Sequence, residues 1–507
     1  MRARLLLCGV LLGVAACSWG AEPPVRLTVL AAAELADLEP LLDELERDTG
    51  VELAMDYRAP GDLLDPGGAA YDLAWPSSDR YLRIRLKDAG FRGEPPLSTS
   101  VMFSPVVVGL TPSAAAALRP PGGGAPTWAD LADAAARGRF RFAMADPRTS
   151  GSGLAALVGV ATAAAGTGGV LRPEDVTCDR LRGFFTGHTI SAPTSGDVVD
   201  QFVSRQEETE GVIAHESTLL SLNAAGRLRQ PLELVYPRDG TVVSDYPVLL
   251  LNPARRAAYD EVVGWLKSER VQREIMSRTL RRPLSPRVER DPRLAAPLGN
   301  AVYFPGEVEV LDSLLAGYAA PGRRGAERLV LLLDFSGSMA GERIRALRSA
   351  VAGLGGADRS SSGRFVRFSR SEDVTVLRFG GRVLDERTFA VGTPRGMDGL
   401  LRHLASGGFD SRTAIWSSLD RAYARAARLL KGGGRVSVVL MTDGRNNAGM
   451  SAEAFLNRSR PGAVPTFAIA FGDADRSDLR RVAEATGGRA LDGGELPAAL
   501  KEIRGCH

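Results

Sequence analysis

The stretch Leu331-Leu332-Leu333-Asp334-Phe335-Ser336-Gly337-Ser338-Met339 decides the fold of the second half of the chain. An apolar run ends on the carboxylate of Asp334, and hydroxyl side chains follow at spacings of two residues, at Ser336 and Ser338. The apolar run predicts a buried strand of a parallel sheet, and ligands bind such sheets at the carboxyl ends of the strands. The stretch therefore predicts an oxygen-rich cation site at a strand end.

Two further oxygen ligands are expected from later elements. Thr413 opens a helical pattern, and Asp443 ends the apolar run 435–442. Mg²⁺ takes six oxygens in near-octahedral geometry at about 2.0–2.1 Å, and hydroxyls and carboxylates supply them. Because a serine after a strand is also a common helix N-cap, the D-x-S-x-S pattern alone is weak evidence. Thr413 and Asp443 strengthen the prediction.

These segments, in this order, resemble the von Willebrand factor A (VWA) domain and its metal-ion-dependent adhesion site. The resemblance implies a doubly wound, Rossmann-like α/β domain over residues 326–507, with an antiparallel edge strand at 382–389. It also implies a protein partner that presents an acidic residue to the metal. The cofactor would be a divalent cation, Mg²⁺ or alternatively Mn²⁺ or Ca²⁺, held by Asp334, Ser336, Ser338, Thr413 and Asp443.

Residues 25–281 alternate strand and helix patterns, which predicts a second α/β unit. A long β-branched run at 100–110 is expected to cross between two lobes. The region resembles a two-lobed, type II periplasmic solute-binding protein of the kind fused ahead of VWA domains in bacterial lipoproteins. The likeness rests on Glu-Leu-Ala-Asp at 34–37, Trp-Pro-Ser-Ser-Asp-Arg-Tyr-Leu at 75–82, Ser-Gly-Ser-Gly-Leu at 150–154, Glu-Ser at 216–217, and the runs 236–240 and 244–247. Residues 282–325, rich in Pro, Arg and Gly, are predicted to be a connector whose central stretch, 301–318, is able to pack back on the first domain.

Strand-to-helix loops between the lobes predict a ligand cleft. Backbone N–H groups at 150–153 favour an anion at a helix N-terminus, although the serines there are equally good helix caps. Relatives that bind oxyanions carry a hydroxyl in the first loop, where this chain has Glu34, and a desolvated carboxylate repels an oxyanion. We expect either a solute with a cationic or hydroxyl-rich part or a domain that has become a protein-binding scaffold. The candidate ligand-binding residues are Glu34, Ser77, Ser78, Ser150, Ser152, Glu216, Asp245 and Tyr246.

The N-terminus predicts export. Arg2 and Arg4 precede the apolar run 5–16, which is shorter than the roughly 20 residues that span a bilayer. Val14-Ala15-Ala16-Cys17 resembles the lipobox of bacterial lipoproteins, which implies a lipidated Cys17 and a signal peptide with linker over residues 1–24. An ordinary secretory signal is the alternative. The expected location is the bacterial cell envelope, anchored to a membrane and facing the periplasm or exterior.

Composition excludes several classes of function. A net charge of +3 over 507 residues, without a basic stripe, argues against nucleic acid. No G-x-S-x-G or clustered Cys/His pattern occurs, so neither an enzyme nor a zinc site is expected. Cys178 and Cys506 lie in different predicted domains, and two unpaired thiols are favoured over a disulfide.

The sequence therefore predicts a non-enzymatic envelope lipoprotein that joins a solute-binding-like module to metal-dependent protein binding. The alternative is the substrate-binding component of a transport system with a regulatory VWA domain.

Overall fold

The computed structural model describes residues 24–58, 71–88, 94–176, 181–318, 321, 327–458 and 464–505. The signal peptide, Cys17, Cys178 and Cys506 lie outside these residues, so their predicted roles stay predictions. Within the described segments, no helix has the length and apolar character needed to cross a membrane.

The N-terminal domain contains two sheets built from the first twelve strands. These strands are β1 (Val25–Ala32), β2 (Val51–Arg58), β3 (Leu73–Trp75), β4 (Leu97–Ser100), β5 (Met102–Leu110), β6 (Phe142–Met144), β7 (His188–Ile190), β8 (Gly211–His215), β9 (Glu233–Val235), β10 (Val243–Ser244), β11 (Pro247–Leu250) and β12 (Arg282–Pro283). The helices are α1 (Glu39–Thr49), α2 (Arg80–Asp88), α3 (Pro112–Leu118), α4 (Trp128–Ala136), α5 (Gly151–Ala165), α6 (Arg182–Phe185), α7 (Ser195–Ser204), α8 (Glu216–Ala224), α9 (Arg256–Lys267), α10 (Glu269–Thr279) and α11 (Val308–Gly317).

The two sheets define two lobes. Lobe 1 has the strand order β2-β1-β3-β11-β4, and lobe 2 has the order β10-β5-β8-β6-β7, with β9 and β12 also paired to β5. The chain passes between the sheets at Val101 and returns at Asp245 and Tyr246, because β4 and β11 belong to lobe 1 whereas β5 and β10 belong to lobe 2. The predicted crossing run at 100–110 is confirmed.

The predicted connector is in large part packed against the N-terminal domain. Arg282 already belongs to β12, and the apolar face of α11 joins the core of lobe 2 through Val308, Leu311 and Leu314. Helix α11 contacts α2 of lobe 1 as well as α5 of lobe 2. The expected packing of the central stretch 301–318 onto the N-terminal domain is confirmed.

The C-terminal domain is a six-stranded sheet of order β15-β14-β13-β16-β17-β18, in which β15 alone is antiparallel to its neighbour. The antiparallel edge strand predicted at 382–389 is therefore confirmed as β15. The strands are β13 (Glu327–Asp334), β14 (Asp373–Phe379), β15 (Val383–Ala390), β16 (Arg435–Thr442), β17 (Thr466–Ala470) and β18 (Ala490–Asp492). The helices are α12 (Glu342–Ala352), α13 (Ser361–Phe365), α14 (Pro394–Ala405), α15 (Ile415–Leu430), α16 (Ala452–Arg458), α17 (Arg476–Ala485) and α18 (Leu496–Gly505).

The central strand β13 is buried on both faces, which explains its continuous apolar run. Leu329, Leu331 and Leu333 join the core on one side of the sheet, and Val330 and Leu332 join the core on the other. A parallel sheet covered by helices on both faces requires this composition, because every side chain of its central strand is buried. The strand consequently delivers Asp334 to the carboxyl edge of the sheet.

The two domains meet through α13. Phe365, at the end of α13, is 2% exposed and belongs to the apolar core of lobe 2. Arg364 pairs with Asp130, and Arg367 pairs with Asp133, both on α4. The sequence suggested two separately packed units; the structure joins them at a shared apolar contact flanked by ion pairs.

Candidate metal site and solute cleft

Asp334 is fully buried at the end of β13. Its Oδ1 accepts a hydrogen bond from the N–H of Ser336 at 2.8 Å, and its Oδ2 accepts one from the hydroxyl of Thr442 at 2.6 Å. Burial raises the pKa of this carboxyl above its usual range. Because each carboxylate oxygen offers more than one lone pair, both can accept a further contact.

The serine hydroxyls and Asp443 form a continuous row of oxygens beside Asp334. Ser336 Oγ lies 3.1 Å from Ser338 Oγ, which donates to Oδ1 of Asp443 at 2.7 Å. Asp443 directly follows β16, the sheet neighbour of β13. Adjacent ligands of an octahedral Mg²⁺ ion at about 2.0–2.1 Å are about 2.9 Å apart. The spacing and hardness of these oxygens fit such an ion.

Thr413 is placed beside this row by the loop that follows Asp443. Its backbone N–H donates to Oδ1 of Asn447 at 2.8 Å, and Asn446 accepts from the N–H of Ile415 at 2.8 Å. A Cβ added to Gly444 would lie 3.6 Å from Thr413 Oγ1. The structure thus brings the predicted threonine and the Asp443 loop together at one edge of the sheet.

A guanidinium group already contacts the row of oxygens. Arg343, near the start of α12, pairs with Oδ2 of Asp443 and donates to the backbone oxygen of Ser338 at 3.0 Å. The Asp443 side chain is fully buried, whereas that of Arg343 is 39% exposed. The arginine therefore neutralises a carboxylate that would otherwise be buried without a cation.

The cleft between the two lobes is nearly closed. Ser77 and Ser78 of lobe 1 line it, together with Gly151 and Leu154 of lobe 2, and its free volume is ≈ 30 Å³. A Cβ added to Gly151 would lie 2.1 Å from Ser77 Oγ, so the lobes can approach this closely only because residue 151 is glycine. Phe304, from the segment predicted as connector, forms part of the same wall.

Glu34 of lobe 1 faces His215 of lobe 2 beside the cleft, and neither is among the residues that line it. Glu34 Oε1 lies 3.9 Å from Nδ1 of His215, and neither atom has a hydrogen-bond partner in the described structure. Burial raises the pKa of the Glu34 carboxyl and lowers the pKa of His215 to about 3. Nε2 of His215 lies 2.9 Å from Ser244 Oγ. A neutral imidazole and a buried carboxyl group therefore meet between the lobes.

Residues 27–278 match the family model described as bacterial extracellular solute-binding protein, and residues 329–502 match the von Willebrand factor type A domain. The chain is an N-terminal bacterial extracellular solute-binding domain fused to a C-terminal VWA domain. The solute-binding family is extracellular or periplasmic and typically non-enzymatic. No curated protein matches the chain.

Several solved structures are similar to the solute-binding domain. One is the periplasmic binding protein AfuA from Actinobacillus pleuropneumoniae with fructose-6-phosphate bound. It is 15% identical over 57% of this chain and 96% of that chain, with a TM-score of 0.45. Iron-bound HitA from Pseudomonas aeruginosa is 18% identical over 58% of this chain and 98% of that chain, with a TM-score of 0.44. A periplasmic thiamin binding protein is 13% identical over 59% of this chain and 98% of that chain, with a TM-score of 0.46.

The hinge of the solute-binding domain holds two more predicted residues. Asp245 Oδ2 accepts a hydrogen bond from Ser100 at 2.7 Å, and burial raises the pKa of this carboxyl. Tyr246 is fully buried and has φ 42°, and its backbone oxygen accepts from the indole N–H of Trp75 at 3.1 Å. The strained backbone of a buried tyrosine marks the point where the chain returns between the lobes.

Ser150 and Ser152 belong to a buried serine cluster at the start of α5. Ser150 Oγ lies 3.1 Å from Ser152 Oγ, which lies 2.6 Å from Ser195 Oγ at the start of α7. Ser150 occupies the N-cap position, yet its hydroxyl makes no capping hydrogen bond. Sequence reasoning missed Ser195, although the pair Ser195-Gly196 repeats the Ser-Gly pattern found at 150–153.

Of the eight predicted ligand residues, Ser77 and Ser78 line the cleft and the other six, with Glu216 among them, do not. Both of its carboxylate oxygens accept hydrogen bonds from Arg282, at 2.7 Å each, and the side chains of both residues are fully buried. The Tyr236 hydroxyl also donates to it. The structure therefore places Glu216 in an internal ion pair and not among the residues that line the cleft.

Several residues that shape these sites carry no local signal. Ser244 lines the cleft with His215 beside it, and Arg343 and Thr442 contact the predicted metal-site carboxylates, only because separate elements converge. Asn447 had the clearest available signal, since it is a polar residue in the loop that follows β16, and loops at strand ends commonly carry functional side chains.

Proposed function

We propose that this protein is a non-enzymatic, lipid-anchored cell-envelope protein in which the VWA domain captures a protein partner through a divalent cation. The solute-binding domain would take a small molecule between its lobes. The observation that supports the metal-dependent part is the row of oxygens from Ser336, Ser338 and Asp443, spaced at 3.1 and 2.7 Å beside the buried Asp334.

The proposed metal ligands are Asp334, Ser336, Ser338, Thr413 and Asp443. The preferred ion is Mg²⁺, which would bridge this protein and its partner. Only Asp334 and Asp443 are charged, so the two carboxylates at most balance a divalent ion. An acidic side chain of the partner would bind a cation held this way more readily than one surrounded by three or four carboxylates.

The anchoring part of the proposal rests on Cys17 and the preceding residues of the sequence. Detergent-phase partitioning tests it, since a Cys17→Ser variant that stays in the membrane fraction would contradict a lipid anchor at this cysteine. The transport alternative, in which the solute-binding domain serves a permease, is supported by the hinge at Val101 and Tyr246. Copurification of a permease with the membrane-bound protein tests that alternative.

Metal-dependent capture is tested by pull-down from envelope extract in Mg²⁺ and in EDTA. We expect the partner to be lost in EDTA and with Asp443→Ala, and retained with Asp398→Ala, an exposed carboxylate of α14. Calorimetry should show Mg²⁺ or Mn²⁺ binding to the wild type and none to Asp334→Ala. Equal capture in every lane, or equal metal affinity in wild type and Asp334→Ala, would refute the proposal.

Arg343 should compete with the metal, because its guanidinium must leave Asp443 when a cation binds there. Arg343→Ala should therefore tighten Mg²⁺ binding about fivefold, equivalent to about 1 kcal/mol for a partly exposed ion pair. Calorimetric titration measures this, with Arg345→Ala on the same helix as the control. Weaker binding in Arg343→Ala would show that the arginine supports the site.

A further inference from the structure

Two buried acceptor atoms that lack a donor lie between the lobes, beside the residues that line the solute cleft, and a Cβ added to the cleft residue Gly151 would lie 3.7 Å from one of them, Glu34 Oε1. Glu34 Oε1 comes from lobe 1 and His215 Nδ1 comes from lobe 2, and they lie 3.9 Å apart with no partner in the described residues. If Nε2 of His215 donates to Ser244, Nδ1 is left as an acceptor. A buried acceptor without a donor is unfavourable by about 1–3 kcal/mol, which a donor group of a solute would remove.

Oε1 of Glu34 receives no hydrogen bond from the guanidinium groups around it, although the charge of Arg281 acts to lower the pKa of this carboxyl against the larger, opposing effect of burial. Arg281 binds both oxygens of Asp37 at 2.7 Å and donates to the backbone oxygen of Glu34, not to its carboxylate. Arg58, on the cleft wall, binds Asp56 at 3.0 Å. Both guanidinium groups therefore hydrogen-bond other carboxylates, and Oε1 of Glu34 is left to accept a hydrogen bond from a donor outside the chain.

The remaining wall of the cleft is apolar and partly aromatic. Tyr81 of α2 and Phe304 of the packed connector line it, with Leu154, Ala155 and Val242 from lobe 2. Aromatic faces attract organic cations within about 6 Å of the ring centroid. The free volume of ≈ 30 Å³ holds only small groups, so a larger body requires the lobes to part at the hinge.

We propose that the solute is a small organic ammonium ion, whose nitrogen donates to both Glu34 Oε1 and His215 Nδ1 and whose apolar body packs against Tyr81 and Phe304. Acceptors separated by 3.9 Å allow one nitrogen to lie about 2.9 Å from each. An anionic solute would place like charge beside Glu34. This inference rests on the proposed solute-binding role and names the chemical class that the cleft selects.

The test compares three probes of matched size, n-butylammonium, 1-butanol and butyrate, on the mature full chain by ligand-observed NMR. We expect n-butylammonium to bind at least about tenfold more tightly than 1-butanol, the effect of a hydrogen bond to a charged group, and butyrate to bind least. Glu34→Gln should abolish this preference without changing the affinity for 1-butanol. Glu94→Gln, which removes an exposed carboxylate of the same domain, should behave as wild type.

The ranking of the three probe affinities is measured on the wild-type protein and needs no variant. A misfolded Glu34→Gln protein therefore does not weaken the test. Preference for butyrate, or an ammonium preference that persists in a folded Glu34→Gln protein, would overturn the ammonium assignment while leaving a solute-binding role intact. Failure of all three probes to bind would overturn both the assignment and the solute-binding role.

Discussion

Arg282→Ala should lower the free energy of unfolding by about 3–5 kcal/mol, since it removes one partner of a buried ion pair and leaves the other charge uncompensated. Arg282 and Glu216 are both fully buried, and Arg282 donates from Nε and Nη2 to the two carboxylate oxygens at 2.7 Å. Arg282 Nη2 also donates to the backbone oxygen of Ala296 at 2.8 Å. The pair thus links the start of α8 to β12 and to the chain beyond it.

Urea unfolding followed by circular dichroism measures the loss. Asp260→Ala is the matched control, because its pair with Arg256 joins side chains that are 54% and 60% exposed, and such pairs contribute about 0–1 kcal/mol. A loss below 1 kcal/mol with Arg282→Ala, comparable to the control, would show that water reaches the buried pair. The result also distinguishes an internal ion-pair role of Glu216 from a role as solute ligand. An ion-pair partner stabilises the protein without solute, whereas a solute ligand need not.

Phe365→Ala should destabilise the contact between the domains by about 3–5 kcal/mol, the usual loss for a buried phenylalanine. The ring is 2% exposed in the core of lobe 2, although the residue belongs to the VWA domain. Its neighbours Arg364 and Arg367 pair with Asp130 and Asp133, and the N–H of Arg370 donates to the backbone oxygen of Ala136 at 2.9 Å. Removal of the ring leaves a cavity next to these ion pairs and this backbone hydrogen bond.

Scanning calorimetry distinguishes the outcomes. We expect one cooperative transition for the wild type and two separated transitions for Phe365→Ala, because the VWA domain would unfold independently of the solute-binding domain. Val170→Ala, at an exposed valine of lobe 2, should leave the transition unchanged. A single unshifted transition in Phe365→Ala would show that α13 does not join the domains in solution.

The packed contact at Phe365 gives the two binding sites a physical connection. Helix α12 begins beside the metal-site carboxylate of Asp443, through Arg343, and the chain reaches α13 a few residues after α12 ends. Helix α11, just before the VWA domain, contacts both lobes. The VWA domain therefore packs directly on lobe 2, one of the two lobes that line the cleft.

The architecture was largely predictable because its signals are local. Strand β13 is apolar from Leu329 to Leu333 because both faces of the sheet are covered, and the D-x-S-x-S spacing places the oxygens of Asp334, Ser336 and Ser338 at its end. The crossing run at 100–110 and the antiparallel edge strand at 382–389 were also identified from patterns within one segment. In each case the buried face or the ligand set follows from residues a few positions apart.

Only the tertiary structure decides which side chains pair with one another. Glu216 was grouped with the cleft because it ends a strand, but Arg282, 66 residues later in the chain, takes both of its oxygens. No periodicity or spacing in the sequence marks three other contacts. These are His215 opposite Glu34, Arg343 paired with Asp443, and Phe365 in the core of lobe 2. The sequence by itself determined the two α/β domains and their order, and it predicted a row of side-chain oxygens at one strand end, because backbone geometry and burial act on neighbouring residues. The pairing of charges and the contact between domains depend on packing between distant segments, which local patterns do not encode.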